Sequence, residues 1–72
     1  MEKLSFKNRE DALEAAQELA TEINGNVNTN TISVNTSAFD CPEDLENWSG
    51  ETSAFVVIDS KNNPVAYVAF WE

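Results

Sequence analysis

The sequence predicts an α+β domain: one amphipathic helix packed on a mainly antiparallel sheet of three or four strands, with a short helix or turn near 42–48. Three observations predict it. Ala12, Ala16, Leu19, Ala20 and Ile23 recur at the spacing of one helix face. Ala54 to Asp59 and Val65 to Trp71 are rich in β-branched and aromatic residues and flank the polar linker Ser60-Lys61-Asn62-Asn63, the pattern of a hairpin. The 72 residues suffice for one small domain, 1–72, which at this size is marginally stable.

The elements follow in chain order. Leu4 and Phe6 alternate with Lys3, Ser5 and Lys7, which reads as a short first strand with one apolar face. Asn8 suits a helix N-cap, with Asp11 three residues on in a variant of the capping box. Glu10 and Asp11 fall in the first turn, where the helix dipole favours negative charge. The helix ends at Asn24-Gly25, and its Ala-rich side permits close approach to a sheet.

Asn26 to Asn30 reads as a polar, turn-like connection, mobile or bulged, because Asn tolerates left-handed and turn conformations. Thr31 to Ala38 alternates as a strand, with Ile32, Val34, Thr36 and Ala38 on one face. Phe39 to Trp48 has Pro42 placed for the first position of a short helix, and Gly50 closes it. The last two strands are apolar on both sides, but one helix covers only one face of a small sheet. The second face is left to the 39–50 segment, to a second copy in a homodimer, or to a partner.

Composition narrows the function. Thirteen Asp and Glu against four Lys and Arg, with no His, give a net charge of −9. That charge disfavours direct contact with nucleic acid or anionic membranes, both of which attract basic surfaces. The N-terminal residues show no apolar signal-peptide core, and no apolar run is long enough to span a membrane. The single Cys41 cannot form an internal disulfide, which fits a reducing cytoplasm.

Several kinds of chemistry lack their residues. One Cys and no His do not make a zinc site. Cys41 has no His to activate it, and Asp40, Glu43 and Asp44 nearby oppose thiolate formation. Two glycines do not build a phosphate loop, and no calcium loop of the EF-hand pattern is present. No enzymatic activity, cofactor or metal is expected.

Two acidic clusters remain as candidate partner-binding surfaces. Glu10, Glu14, Glu18 and Glu22 repeat every four residues along the helix, with Asp11 beside them. Four residues advance a helix by about 6 Å, and each like-charge pair at that spacing costs a few tenths of a kcal/mol. The second cluster is Asp40, Glu43, Asp44, Glu46 and Glu51, with Trp48 among them as a candidate anchor. No Lys or Arg occurs between Arg9 and Lys61. Each cluster also has a plainer reading as a solvated face, and Trp48 as a core residue. Along DNA a phosphate recurs about every 3.4 Å per strand, so a column stepping at about 6 Å suits cationic side chains spaced for every second phosphate.

Carried by these two clusters, the chain resembles the small acidic inhibitors of phages and mobile elements, anti-CRISPR proteins among them. The likeness covers size, charge and helix-plus-sheet layout, with no shared motif. It implies a non-catalytic DNA mimic in the host bacterial cytoplasm, blocking target DNA binding by a CRISPR effector subunit or another basic nucleic-acid-binding protein. Two alternatives stay open: an immunity or antitoxin protein that neutralises a basic nuclease, and a structural or assembly subunit acting through its apolar sheet face.

Overall fold

The computed structural model describes residues 2–35 and 51–71, with Glu51 described by its backbone alone. The helix or turn expected near 42–48 lies outside the described residues, as do Thr36 and Ala38. The described elements are β1 (Glu2–Phe6), α1 (Arg9–Glu22), β2 (Asn26–Asn35), β3 (Glu51–Ile58) and β4 (Pro64–Phe70). They form one helix on a four-stranded sheet of order β1-β4-β3-β2.

The α+β expectation holds, with one refinement. β2–β3 and β3–β4 pair antiparallel, but β1 pairs parallel with β4, so the sheet is mixed. Parallel neighbours need a long connection, and here everything from α1 to β3 lies between them in sequence. β1 and β2 therefore run in the same direction at opposite edges. The helix that joins them crosses the whole sheet and touches all four strands.

The helix starts where the sequence places it. The Asn8 side chain accepts a hydrogen bond from the Asp11 backbone N–H at 2.8 Å, and its amide donates to the Asp11 carboxylate at 3.3 Å. The reciprocal bond thus runs between side chains, which makes it a variant of the usual capping box. Asn8→Ala is expected to destabilise the fold by about 1 kcal/mol, measured by urea unfolding. At the other end Asn24 takes the left-handed conformation (φ 55°), and the Gly25 N–H donates to the Ala20 carbonyl at 2.8 Å.

Ala12, Ala16 and Ala20 are buried against Phe55, Val57, Ala66, Val68 and Phe70 of the central strands. Leu4 and Phe6 of β1 and Val27 of β2 pack at the margins of this core. The small alanine row brings the helix backbone close to the sheet, so the larger side chains come from the strands. Phe55 and Phe70 meet with ring centroids 5.4 Å apart, and the Arg9 guanidinium lies 5.3 Å from the Phe55 centroid.

The last two strands are apolar on both sides because they are the central pair. On the face away from α1, Ala54, Ala69 and Trp71 form a second buried cluster with Val34 and Tyr67 packed on it. The Thr52 hydroxyl donates to the Phe70 carbonyl, and the Trp71 backbone N–H donates to the Phe6 carbonyl at 3.2 Å. The hairpin loop is held by Asp59, whose carboxylate accepts from the Lys61 and Asn63 backbone N–H groups, both at 2.9 Å.

One expectation is corrected. Asn26 to Asn30 is strand, not a turn-like connection: β2 already pairs with β3 at Asn26 opposite Ile58. The Asn enrichment instead marks a bulge. From Asn28 to Ile32 β2 takes four steps while β3 takes two, from Val56 to Ala54. The Asn28 side chain accepts from the Asn30 N–H at 3.0 Å, a local turn that absorbs the surplus. Two extra residues preserve the side-chain parity, so Asn28 and Ile32 project from the same face.

Candidate partner-binding surface

Glu10, Asp11, Glu14, Glu18 and Glu22 are all exposed on α1. Their placement follows from helix geometry. At about 100° per residue, Glu14 lies nearly opposite the Ala12–Ala16–Ala20 row, while Glu10 and Glu22 mark the ends of an arc about 120° wide. Burying the alanines on the sheet therefore turns the acidic arc outward. Asp11 falls inside this arc, closer to Glu18 than Glu10 is.

The surface relief divides the acids. Asp11, Glu14 and Glu18 frame a shallow open cleft of about 250 Å³ whose apolar lining is Phe6 of β1 and Ala15. Glu10 borders a different depression, of about 540 Å³, with Asn8, Arg9 and Leu13. The single file of glutamates read from the sequence is thus split by the surface. Glu10 stands beside Arg9, and the uniformly acidic rim is Asp11, Glu14 and Glu18.

Phe6 and Ala15 were not foreseen as lining residues. Alternation in β1 puts Phe6 on the apolar face of the strand, and there it is only half-buried. An aromatic residue on an edge strand, where the helix covers it from one side alone, was the signal available.

The second acidic cluster is not brought into this surface. Asp40, Glu43, Asp44, Glu46 and Trp48 lie outside the described residues, as does the Glu51 side chain. Among the described residues no group of three or more His, Cys, Asp or Glu is placed to hold a metal, and no helix is long and apolar enough to cross a membrane.

No protein-family model, curated protein or solved structure matches this chain. An apolar floor rimmed by carboxylates complements a Lys or Arg side chain, whose alkyl stem lies on apolar surface while its charged head stays at the rim.

Proposed function

We propose that this chain is a non-catalytic inhibitor that uses its acidic helix surface to occupy the basic nucleic-acid-binding site of a partner protein, by DNA mimicry of the anti-CRISPR type. The partner is a CRISPR effector subunit or a comparable DNA-binding protein in a bacterial cytoplasm, and the effect is to block target DNA binding. The observation that carries the reading is the outward acidic arc of α1, with the Asp11–Glu14–Glu18 rim over Phe6 and Ala15. The net charge of −9 supports it by steering the chain onto a basic groove.

The test is a target-DNA-binding assay on purified CRISPR effector complexes, with the wild-type chain and the double variant Glu14→Lys/Glu18→Lys. Wild type should displace DNA, and less effectively as salt rises. Reversing two rim charges places like charges against the basic site and should weaken inhibition by about hundredfold. Both positions are exposed on the helix, so circular dichroism should be unchanged. Inhibition that persists at moderate salt in the double variant overturns the reading.

A further inference from the structure

Asn24 and Gly25 lie between α1 and β2, and theirs is the single Asn-Gly step in the chain. The backbone nitrogen that follows an asparagine can attack its side-chain amide and close a five-membered imide. Glycine leaves that nitrogen least hindered, because it has no Cβ. Asn24 is exposed and left-handed (φ 55°), so water reaches its side-chain amide. The attacking atom is restrained instead. The Gly25 N–H donates to the Ala20 carbonyl at 2.8 Å, and a carbon added to Gly25 would meet the Ile58 carbonyl oxygen. Asn62 is an internal comparison. It is also left-handed (φ 68°), but the next N–H, on Asn63, donates to the Asp59 carboxylate at 2.9 Å and has a side chain beside it. Asn63 precedes Pro64, whose nitrogen has no hydrogen to lose.

We propose that Asn24 is a hydrolytic modification site, gated by the junction of α1 with β2 and irreversible once it has reacted. Local opening of the junction breaks the bond from Gly25 to Ala20 and frees the nitrogen. The Gly25 nitrogen loses its proton to hydroxide and bonds to Asn24 Cγ, and the Cγ–Nδ2 bond breaks to release ammonia. Water then adds to the imide. Cleavage between the nitrogen and Cγ leaves an ordinary aspartate. Cleavage between the nitrogen and the main-chain carbonyl leaves an isoaspartate, with the chain routed through Cγ. Either way one water is consumed and one ammonia released, and nothing is oxidised or reduced.

The isoaspartate lengthens the backbone by one carbon, about 1.5 Å. The junction has no slack to absorb it. Gly25 is anchored to Ala20 on one side, and Asn26 is paired with Ile58 on the other. Both products also add negative charge at the C-terminal end of α1, where the dipole disfavours it and the last turn has no basic residue. The modified chain therefore opens more readily than the original. This chemistry does not depend on what the Asp11–Glu14–Glu18 rim binds.

The test is peptide mass spectrometry of the full chain, incubated at mildly alkaline pH in dilute buffer and in guanidinium chloride. In denaturant Asn24 should lose ammonia faster than every other asparagine. In the folded chain the same loss should be slower by about tenfold or more, since it waits for the junction to open. Ion exchange separates the modified chains by their extra negative charge, and an isoaspartyl methyltransferase marks those with the rerouted backbone. Their urea midpoint should lie below that of Asn24→Asp, which carries the same charge on an ordinary backbone. Faster loss at another asparagine in denaturant would overturn the site. Equal rates at Asn24 in the folded and denatured chains would overturn the gate. An isoaspartyl chain as stable as Asn24→Asp would show that the junction accepts the longer backbone, and would overturn the irreversibility.

Discussion

Gly25→Ala is expected to destabilise this protein by about 3 kcal/mol, the upper end of what overpacking costs. A Cβ on Gly25 would fall on the Ile58 carbonyl oxygen, with the Ile58 carbonyl carbon 3.0 Å and the Asp59 Cα 3.2 Å away. All three are backbone atoms, so no side chain can rotate aside. Nor can Gly25 retreat easily, because its N–H is bonded to the Ala20 carbonyl at the end of α1. Relief would require pulling the start of β2 away from the end of β3, where Asn26 pairs with Ile58. Small domains lie toward the low end of about 5–15 kcal/mol of stability. With a denaturant slope of about 1 kcal/mol per M, the urea midpoint should fall by about 3 M. A fall of less than about 1 M would show that the helix–strand junction yields, contrary to this packing.

Phe55→Ala is expected to cost about 4 kcal/mol. Phe55 is fully buried on the helix face of β3. It packs against Phe70 and lies under the Arg9 guanidinium. The alanine row of α1 has no bulk with which to refill the space, so truncation leaves a cavity under the helix. Phe55→Leu keeps most of the volume and should cost about 1.5 kcal/mol or less. Thermal or urea unfolding of the pair measures the difference, and near-equal costs would mean the helix collapses onto the smaller residue. The same comparison bears on the proposed function. Losing the floor of α1 removes the platform that turns Glu14 and Glu18 outward, so Phe55→Ala should lower the proposed inhibition through stability, whereas Glu14→Lys/Glu18→Lys should lower it in a folded chain.

What could be read in advance follows the range of the interactions involved. The helix and its start at Asn8 rest on contacts within four residues, so spacing and capping reveal them. The hairpin of β3 and β4 is also local, since Asp59 organises its turn from within the loop. The bulge of β2 was half legible. The Asn residues announced irregularity, but the pairing of Asn26–Asn28 with Val56–Ile58 is a long-range register that no local pattern encodes. The parallel pairing of β1 with β4 was not legible either. Leu4 and Phe6 require an apolar surface to cover them, and many surfaces would serve.

The candidate surface divides in the same way. The row of glutamates is set by helical periodicity, and its outward direction by the alanines on the opposite side. Whether a carboxylate has an apolar neighbour depends on which strand comes to lie beside the helix. The sequence by itself determined a capped helix with one alanine face and one acidic face, an aromatic-rich hairpin, and a strong negative charge. The tertiary structure alone decided that the hairpin is the centre of the sheet, that β1 closes one edge in parallel, and that Phe6 floors a cleft rimmed by Asp11, Glu14 and Glu18. The physical reason is that propensity, capping and periodicity act over a few residues. Sheet order is instead settled by which apolar faces bury one another best across the whole chain.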